Sequence, residues 1–147
     1  MNVHVHEVSW ESHQTELRAV RNAVFIEEQN VPRDLEWDGM DETSNHFIAE
    51  TSDGDVIGTA RLMPSGQIGR MAILIPYRGH GIGRRMLDMA IQSASRSGMK
   101  EVFLHAQSYA LEFYLKAGFI ADGLEFEEAG IPHRSMKRST EDRERSI

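Results

Sequence analysis

The order of hydrophobic and polar residues divides the chain into strands and helices. Apolar and polar residues alternate over Val3–Val8, which predicts a half-buried strand. From Ser12 to about Gln29, apolar residues recur at helical spacing without Gly or Pro, which predicts a helix that ends before Pro32. The acidic segment 32–45 shows neither period, and we interpret it as a loop whose carboxylates are mostly solvated.

The rest of the chain continues as strands and helices. The Asp53-Gly54 pair between two strand-like runs predicts a β-hairpin. The predicted elements are strands at His46–Glu50, Val56–Met63 and Gln67–Ile75, a helix from Ile82 to Gly98, a strand at Glu101–Gln107, a helix capped by Ser108 and ended by Gly118, and a strand pair at Phe119–Glu127 and Ile131–Lys137. This order predicts one α/β domain over residues 1–138, with a mixed, mostly antiparallel sheet flanked by helices, and a disordered charged tail over 139–147.

Composition narrows the class of protein. The chain has 147 residues, 40% of them hydrophobic and 27% charged, as expected for one globular domain. Its net charge of −7 disfavours nucleic acid as a partner, and the apolar runs are too short for a membrane span. The sequence has no cysteine, which excludes disulfides and a cysteine nucleophile and fits a cytoplasmic location. His4 and His6 share a strand face without a third ligand at a recognisable spacing, so we expect no metal.

Glycines and arginines lie together in a short segment between the predicted strand Gln67–Ile75 and the helix that begins at Ile82. The segment reads Arg78, Gly79, His80, Gly81, Ile82, Gly83, Arg84, Arg85. Glycines let a ligand approach the backbone, and the amide N–H groups at a helix start bind anions. The alternative is a tight turn that needs small residues for its geometry alone. Arg84 stands where a Walker loop needs Lys and where a Rossmann fingerprint needs Gly, so both nucleotide motifs are excluded.

This segment resembles the Gln/Arg-x-x-Gly-x-Gly/Ala pyrophosphate motif of the GNAT superfamily of N-acetyltransferases. Residues 113–119, Phe-Tyr-Leu-Lys-Ala-Gly-Phe, resemble the second signature of that superfamily, a helix that ends in Gly-Phe. Similarity to a small bacterial ElaA-like branch covers nearly the whole chain, through residues 24–32, the Asp38, Asp41 and His46 pattern, and residues 128–133.

The resemblance implies a GNAT fold and direct transfer of an acetyl group from acetyl-coenzyme A to a primary amine of a small molecule or peptide. It implies that the segment from Arg78 to Arg84 holds the coenzyme pyrophosphate, and that the backbone of Met71, Ala72 and Ile73 runs along the pantetheine arm. The amide of Ala72 or of Ile73 would polarise the thioester carbonyl. Homodimers are common in the superfamily, and a homodimer is one assembly that the resemblance allows.

Tyr114 stands where the superfamily places its general acid, beside the coenzyme. A phenol stays protonated at neutral pH, although a helix tyrosine can also serve as a core aromatic. The carboxylate that many members carry before the glycine segment is absent from Gln67–Arg70. The candidates for the general base are Glu28, Glu128, His105 and His133.

Two other functions stay open at this point. The missing strand carboxylate favours a non-catalytic acyl-coenzyme A sensor or interaction module, whereas the retained Tyr114 favours an enzyme. A phosphate-binding enzyme unrelated to acetyl transfer is the third alternative. The acidic segment 32–45, together with Glu125, Glu127 and Glu128, favours a cationic acceptor.

Overall fold

A computed structural model describes residues 2–141 of the chain. The elements are β1 (Val3–Val8), α1 (Trp10–Arg21) with a π-helical extension (Asn22–Glu28), α2 (Arg33–Glu36), β2 (Asn45–Thr51), β3 (Val56–Leu62), β4 (Ile68–Ile73), α3 (Ile82–Arg96), β5 (Glu101–Gln107), α4 (Leu111–Lys116), β6 (Ile120–Ala121), β7 (Phe126–Glu128) and β8 (Ile131–Ser139). Short 3₁₀ turns at Ile75–Tyr77 and Ser108–Ala110 precede α3 and α4. The predicted class, an α/β fold with mostly antiparallel strands flanked by helices, is confirmed.

The strands form two sheets that separate from each other. The first has the antiparallel order β1-β2-β3-β4, and in the second β8 pairs antiparallel with β5, β6 and β7. The sheets meet at a parallel bridge between Gln67 and Phe103, where the Phe103 N–H donates to the Gly66 carbonyl at 3.1 Å. Beyond this bridge β4 stays paired with β3, and β5 stays paired with β8. A wedge-shaped gap therefore opens between the edges of β4 and β5.

Helices cover both faces of the first sheet. The apolar face predicted for α3 is buried and packs in the main core with residues such as Phe47 and Ala49 of β2. Ile48, which alternates with them along β2, faces the other way and packs against Leu17 of α1. The sheet is therefore sandwiched between α1 and α3.

Two helix ends illustrate how local sequence sets the elements. Gly118 has φ 91°, and the Phe119 N–H donates to the Tyr114 carbonyl at 3.0 Å, as in a Schellman cap. The predicted end of α4 is therefore confirmed, with Phe119 buried beneath it. The predicted cap at Ser108 is wrong, because its hydroxyl donates to Glu125 at 2.8 Å and a 3₁₀ turn leads into the helix instead.

Helix and strand boundaries differ from the prediction at several places. The predicted strand Phe119–Glu127 is divided into β6 and β7, because residues 122–125 lie opposite only two residues of β8 and leave the regular pairing. The first helix begins at Trp10, where the Ser12 N–H donates to the side chain of Ser9 at 3.1 Å, and its last seven residues widen into the π-helix. The final strand continues to Ser139, one residue beyond the predicted domain. Residues 142–147 of the predicted tail lie outside the described residues.

The interpretation of segment 32–45 as a mostly solvated loop is wrong for two of its carboxylates. The segment contains α2, and Glu36 and Asp41 are only 2% and 7% exposed. Both are bound by Arg21 at 2.7 Å, and Asp38 is bound by Arg61 at 2.8 Å. Glu36 and Asp41 are buried because arginines neutralise them there, whereas the Asp38 side chain is 29% exposed.

Candidate active site

A cavity of about 430 Å³ lies in the wedge between β4 and β5. One wall comes from the π-helical extension, the segment around α2 and the start of β4. The opposite wall comes from β5, the start of α4 and the β7–β8 hairpin. Residues distant in sequence, among them Arg70, Tyr114 and Glu128, therefore border one space.

Tyr114 projects from α4 into this wall. Its hydroxyl lies 3.9 Å from the sulfur of Met71 on β4, and its ring packs edge-on against Phe113 and Phe119. Burial raises the pKa of Tyr114 to about 12, so the phenol keeps its proton at neutral pH. The side chain therefore has both predicted properties, since it packs against the core and carries a protonated hydroxyl at the cavity.

The edge of β4 facing the wedge offers backbone groups. The Leu74 N–H donates to Ile57 of β3 at 2.9 Å, and amides alternate sides along a strand. The N–H and carbonyl of Ile73 therefore face away from β3, and the Arg78 side chain donates to that carbonyl at 2.8 Å. Of the two amides predicted to polarise a carbonyl, that of Ile73 lies on the open edge, whereas Ala72 pairs with Thr59.

A bulge precedes this edge. Arg70 has φ 51°, and the β3–β4 register shifts between Thr59 and Arg61. A β-bulge bends its strand, and this one lies where β4 begins to part from β5.

The glycine segment has the conformation that an anion site requires. Gly79 and Gly81 have φ values of 83° and 77°, which favour glycine. Gly81 precedes α3, and its carbonyl accepts the first bond of that helix from Arg85 at 3.3 Å. The N–H groups of the first turn, from Ile82 to Arg84, therefore point out of the helix end, and this concave set of amides fits a pyrophosphate.

The arginines of this segment already have protein partners. Arg78 binds Glu28 with two hydrogen bonds of 2.7 and 2.9 Å, and Arg84 binds Asp88 at 3.0 Å. The hydrogen bond from Arg78 lowers the pKa of Glu28. Of the four predicted base candidates, Glu28 is thus the one held at the glycine segment as a weakly basic carboxylate.

The other three base candidates meet in the cavity wall. Nδ1 of His105 lies 3.1 Å from Oε1 of Glu128, and Nε2 of His133 lies 3.8 Å from Oε2 of the same carboxylate. His133 is buried, whereas half of the Glu128 side chain is exposed. Register explains the convergence, because β7 and β5 both pair with β8 and bring these residues to one sheet face.

A network of arginines and carboxylates forms the other side of the cavity. Its members are Arg21, Arg61, Arg70, Glu36, Asp38 and Asp41, three positive and three negative groups. Burial raises the pKa of Glu36 despite the charges of Arg70 and Arg21. Burial is also the largest effect on Asp41, but the hydrogen bonds and charges of Arg21 and Arg61 together outweigh it, and the pKa of Asp41 is lowered.

This network was not predicted from the sequence, although two signals point to it. Arg21 falls on the apolar face of α1, four residues after Leu17 and three before Val24. Arg61 lies in β3, whose residues 57–62 are all buried. An arginine at a buried position requires a buried carboxylate, and the acidic segment supplies it.

Residues 2–141 have neither a membrane-spanning helix nor a cluster of metal ligands. The helices in this part of the chain are all too short or too polar to cross a membrane. Across the same residues, no three His, Asp or Glu side chains converge as metal ligands.

The mixed α/β fold and the glycine segment at the start of α3 are features of the GNAT class of acetyltransferases. The family model for the acetyltransferase (GNAT) domain matches residues 12–140, and the chain belongs to this family. It is 33% identical to the uncharacterized N-acetyltransferase YjcF of Bacillus subtilis over 81% of this chain and 87% of that protein.

Two solved structures are similar along almost the whole chain. Escherichia coli ElaA superposes with a TM-score of 0.84 and 28% identity, covering 93% of this chain and 99% of that one. An acyl-CoA N-acyltransferase from Pseudomonas aeruginosa superposes with a TM-score of 0.82, the same identity and the same coverage. The predicted resemblance to GNAT proteins and to ElaA is thereby confirmed.

Proposed function

We propose that the chain transfers an acetyl group from acetyl-coenzyme A directly to a primary amine. The observation that supports the proposal is that β4 runs from the cavity to the glycine segment. At the cavity, Met71 of β4 lies beside the Tyr114 hydroxyl, and two residues later the Ile73 carbonyl binds Arg78 at the start of the glycine segment. A strand edge thus links an anion-binding segment to a cavity with a protonated phenol and a cluster of titratable side chains.

The residues that would hold acetyl-coenzyme A follow from this arrangement. The amides from Gly79 to Arg84 would bind the pyrophosphate, and the edge of β4 at residues 71–73 would pair with the pantetheine arm. When bound, acetyl-coenzyme A supplies a thioester with an electrophilic carbonyl carbon. The relative from Pseudomonas aeruginosa is named an acyl-CoA N-acyltransferase, which supports this choice of ligand.

The chain itself contributes two groups to the transfer. The Ile73 N–H donates to the oxygen on which negative charge develops, and one such donor lowers the barrier by about 3–4 kcal/mol. The Tyr114 hydroxyl donates a proton to the departing sulfur, because burial keeps the phenol protonated. The sequence has no cysteine for a cysteinyl acyl-enzyme, so the amine attacks directly.

The acceptor side of the proposal is a small molecule or peptide with a primary amine. Nucleic acid and membrane are not partners in it, no metal takes part, and the reaction belongs to the cytoplasm. A homodimer stays a prediction that sedimentation of the purified chain tests.

Tyr114→Phe tests the proposal. We expect amine-dependent thiol release from acetyl-coenzyme A, measured over a panel of primary amines, to fall by about 100-fold or more in this variant. Acetyl-coenzyme A binding should stay unchanged, because phenylalanine keeps the ring packing. Tyr77→Phe, a tyrosine packed against the core, is the matched control and should keep wild-type turnover. Wild-type protein that binds acetyl-coenzyme A but acetylates none of the amines would favour the sensor function instead.

A further inference from the structure

Two hydrogen-bond acceptors face each other in the cavity wall. Nδ1 of His133 lies 2.6 Å from the carbonyl oxygen of Ile131. A carbonyl only accepts, so Nδ1 carries the hydrogen and Nε2 of the neutral ring keeps its lone pair. That Nε2 lies 3.8 Å from Oε2 of Glu128, which is also an acceptor. The space between them therefore suits a donor with more than one N–H bond, as in an ammonium group.

The fold holds the imidazole of His133 in place and leaves the carboxylate of Glu128 accessible. The two-residue turn at Ala129 and Gly130 has φ values of 53° and 75°, as in a type I′ hairpin, and sets the register of β7 against β8. This register brings Phe126 opposite His133, and the two rings stack at 6.0 Å. The imidazole is thus held in place, whereas half of the Glu128 side chain stays open to the cavity.

His105 orients the carboxylate from the neighbouring strand. Its Nδ1 lies 3.1 Å from Oε1 of Glu128, and since a carboxylate only accepts, Nδ1 carries the hydrogen. Oε2 of Glu128 is thereby left pointing towards His133. His105 acts through Glu128 and is a positioning residue.

The charges of the cavity favour a cation at this place. Glu36 and Asp38, the other carboxylates of the wall, are bound by Arg21, Arg61 and Arg70. Within the described part of the chain, Glu128 is the carboxylate of the cavity wall with histidine rather than arginine partners. Its carboxylate is therefore available to an incoming ammonium.

We propose that Glu128 and His133 bind the ammonium group of an alkylamine acceptor and that Nε2 of His133 removes its proton. The inference rests on the proposed function and names its base and its acceptor class. The ammonium first gives one proton to Nε2. The neutral nitrogen then forms the C–N bond to the thioester carbonyl carbon, the C–S bond breaks, and the sulfur takes the Tyr114 proton. The second proton lost by the nitrogen returns to Tyr114, and His133 releases its proton to solvent.

Nitrogen-15 NMR of the imidazole rings in the full chain tests the site without turnover. The wild-type spectrum should show His133 with a protonated Nδ1 and an unprotonated Nε2 near neutral pH, assigned with His133→Asn. Adding n-butylammonium should shift the Nε2 resonance, whereas butan-1-ol at the same concentration should not. Glu128→Gln should lose the response, while Glu127→Gln, with the same charge change on a residue outside the cavity wall, should keep it. A proton on Nε2, or a response that survives Glu128→Gln, would overturn the proposal.

Turnover then separates a base from a structural histidine. With acetyl-coenzyme A and n-butylamine, His133→Asn should lower kcat by about 100-fold, and His105→Gln should mainly raise KM. With aniline, whose nitrogen is unprotonated at neutral pH, His133→Asn should lose little. An equal loss with both amines would show that His133 is only structural. Acetyl-coenzyme A binding by each variant keeps this outcome distinct from a failure of the proposed function, which would appear as loss of coenzyme binding in the wild type.

Discussion

Asp38 shows at the scale of one residue how the buried arginines determine the charge of the cavity. Burial alone raises the pKa of a carboxyl group. For Asp38, hydrogen bonds from Arg61 and from the Met40 N–H, together with the charges of Arg61 and Arg70, outweigh burial and lower the pKa to about 2. The carboxylate therefore stays ionised and compensates the arginines rather than serving an acceptor.

The lowered pKa of Asp38 predicts a contribution to folding stability that is lost in acid. The folded pKa lies below the unfolded value of 3.8, so the contribution is present above about pH 4 and is lost as pH falls towards 2. At pH 7 it amounts to about 1–2 kcal/mol, allowing for solvent at the exposed edge of the side chain. In urea unfolding at pH 7, the free energy of unfolding of Asp38→Asn should be lower than that of the wild type by this amount. The difference between the two free energies should shrink below pH 4.

Asp34→Asn is the matched control, because Asp34 lies in the same segment with an exposed side chain and should leave stability unchanged. A destabilisation by Asp38→Asn that does not depend on pH would contradict the assignment of the ion pairs.

Elements with a strong period were predictable from sequence, and elements set by long-range contacts were not. The predicted apolar face of α3 is buried in the structure, because helical spacing alone selects that face. Residues 22–28 were predicted as helix but not as the π-helical extension that they form, and the short α2 was missed. Both are stabilised by ion pairs to distant residues, Glu28 to Arg78 and Glu36 to Arg21, which no local pattern shows.

The two glycines at the start of α3 should respond oppositely to alanine. Gly81 has φ 77°, so Gly81→Ala places alanine in the left-handed region and should destabilise the fold by about 1 kcal/mol. Gly83 lies inside α3, where an added Cβ would meet the Phe113 ring at an ordinary 3.6 Å. Gly83→Ala should therefore keep or raise stability, by up to about 1 kcal/mol, through helix propensity.

Thermal and urea unfolding of both variants measure this contrast, and calorimetry with acetyl-coenzyme A should show weaker binding for Gly81→Ala. Equal effects of the two substitutions on stability would contradict the conformation of the glycine segment.

In the whole molecule, the arrangement of the strands decides which candidate residues lie close together. Sequence reasoning identified Glu128, His105 and His133 separately, but their convergence depends on two strand registers and one hairpin turn. It also depends on the separation of the sheets beyond the Gln67–Phe103 bridge, which creates the cavity between β4 and β5. Such long-range pairing leaves no periodic signal in the chain, so these three residues were predictable as candidates, whereas their arrangement and the arginine network opposite them were not.

Calorimetric titration of the purified chain with acetyl-coenzyme A tests the central claim most directly, with 3′-dephospho-coenzyme A and ATP as controls. We predict micromolar binding of acetyl-coenzyme A, retained binding of the dephospho compound, which keeps the pyrophosphate and the pantetheine arm, and no comparable binding of ATP. Absence of acetyl-coenzyme A binding by folded protein, or equal binding of ATP, would contradict the assignment of the glycine segment and of the β4 edge.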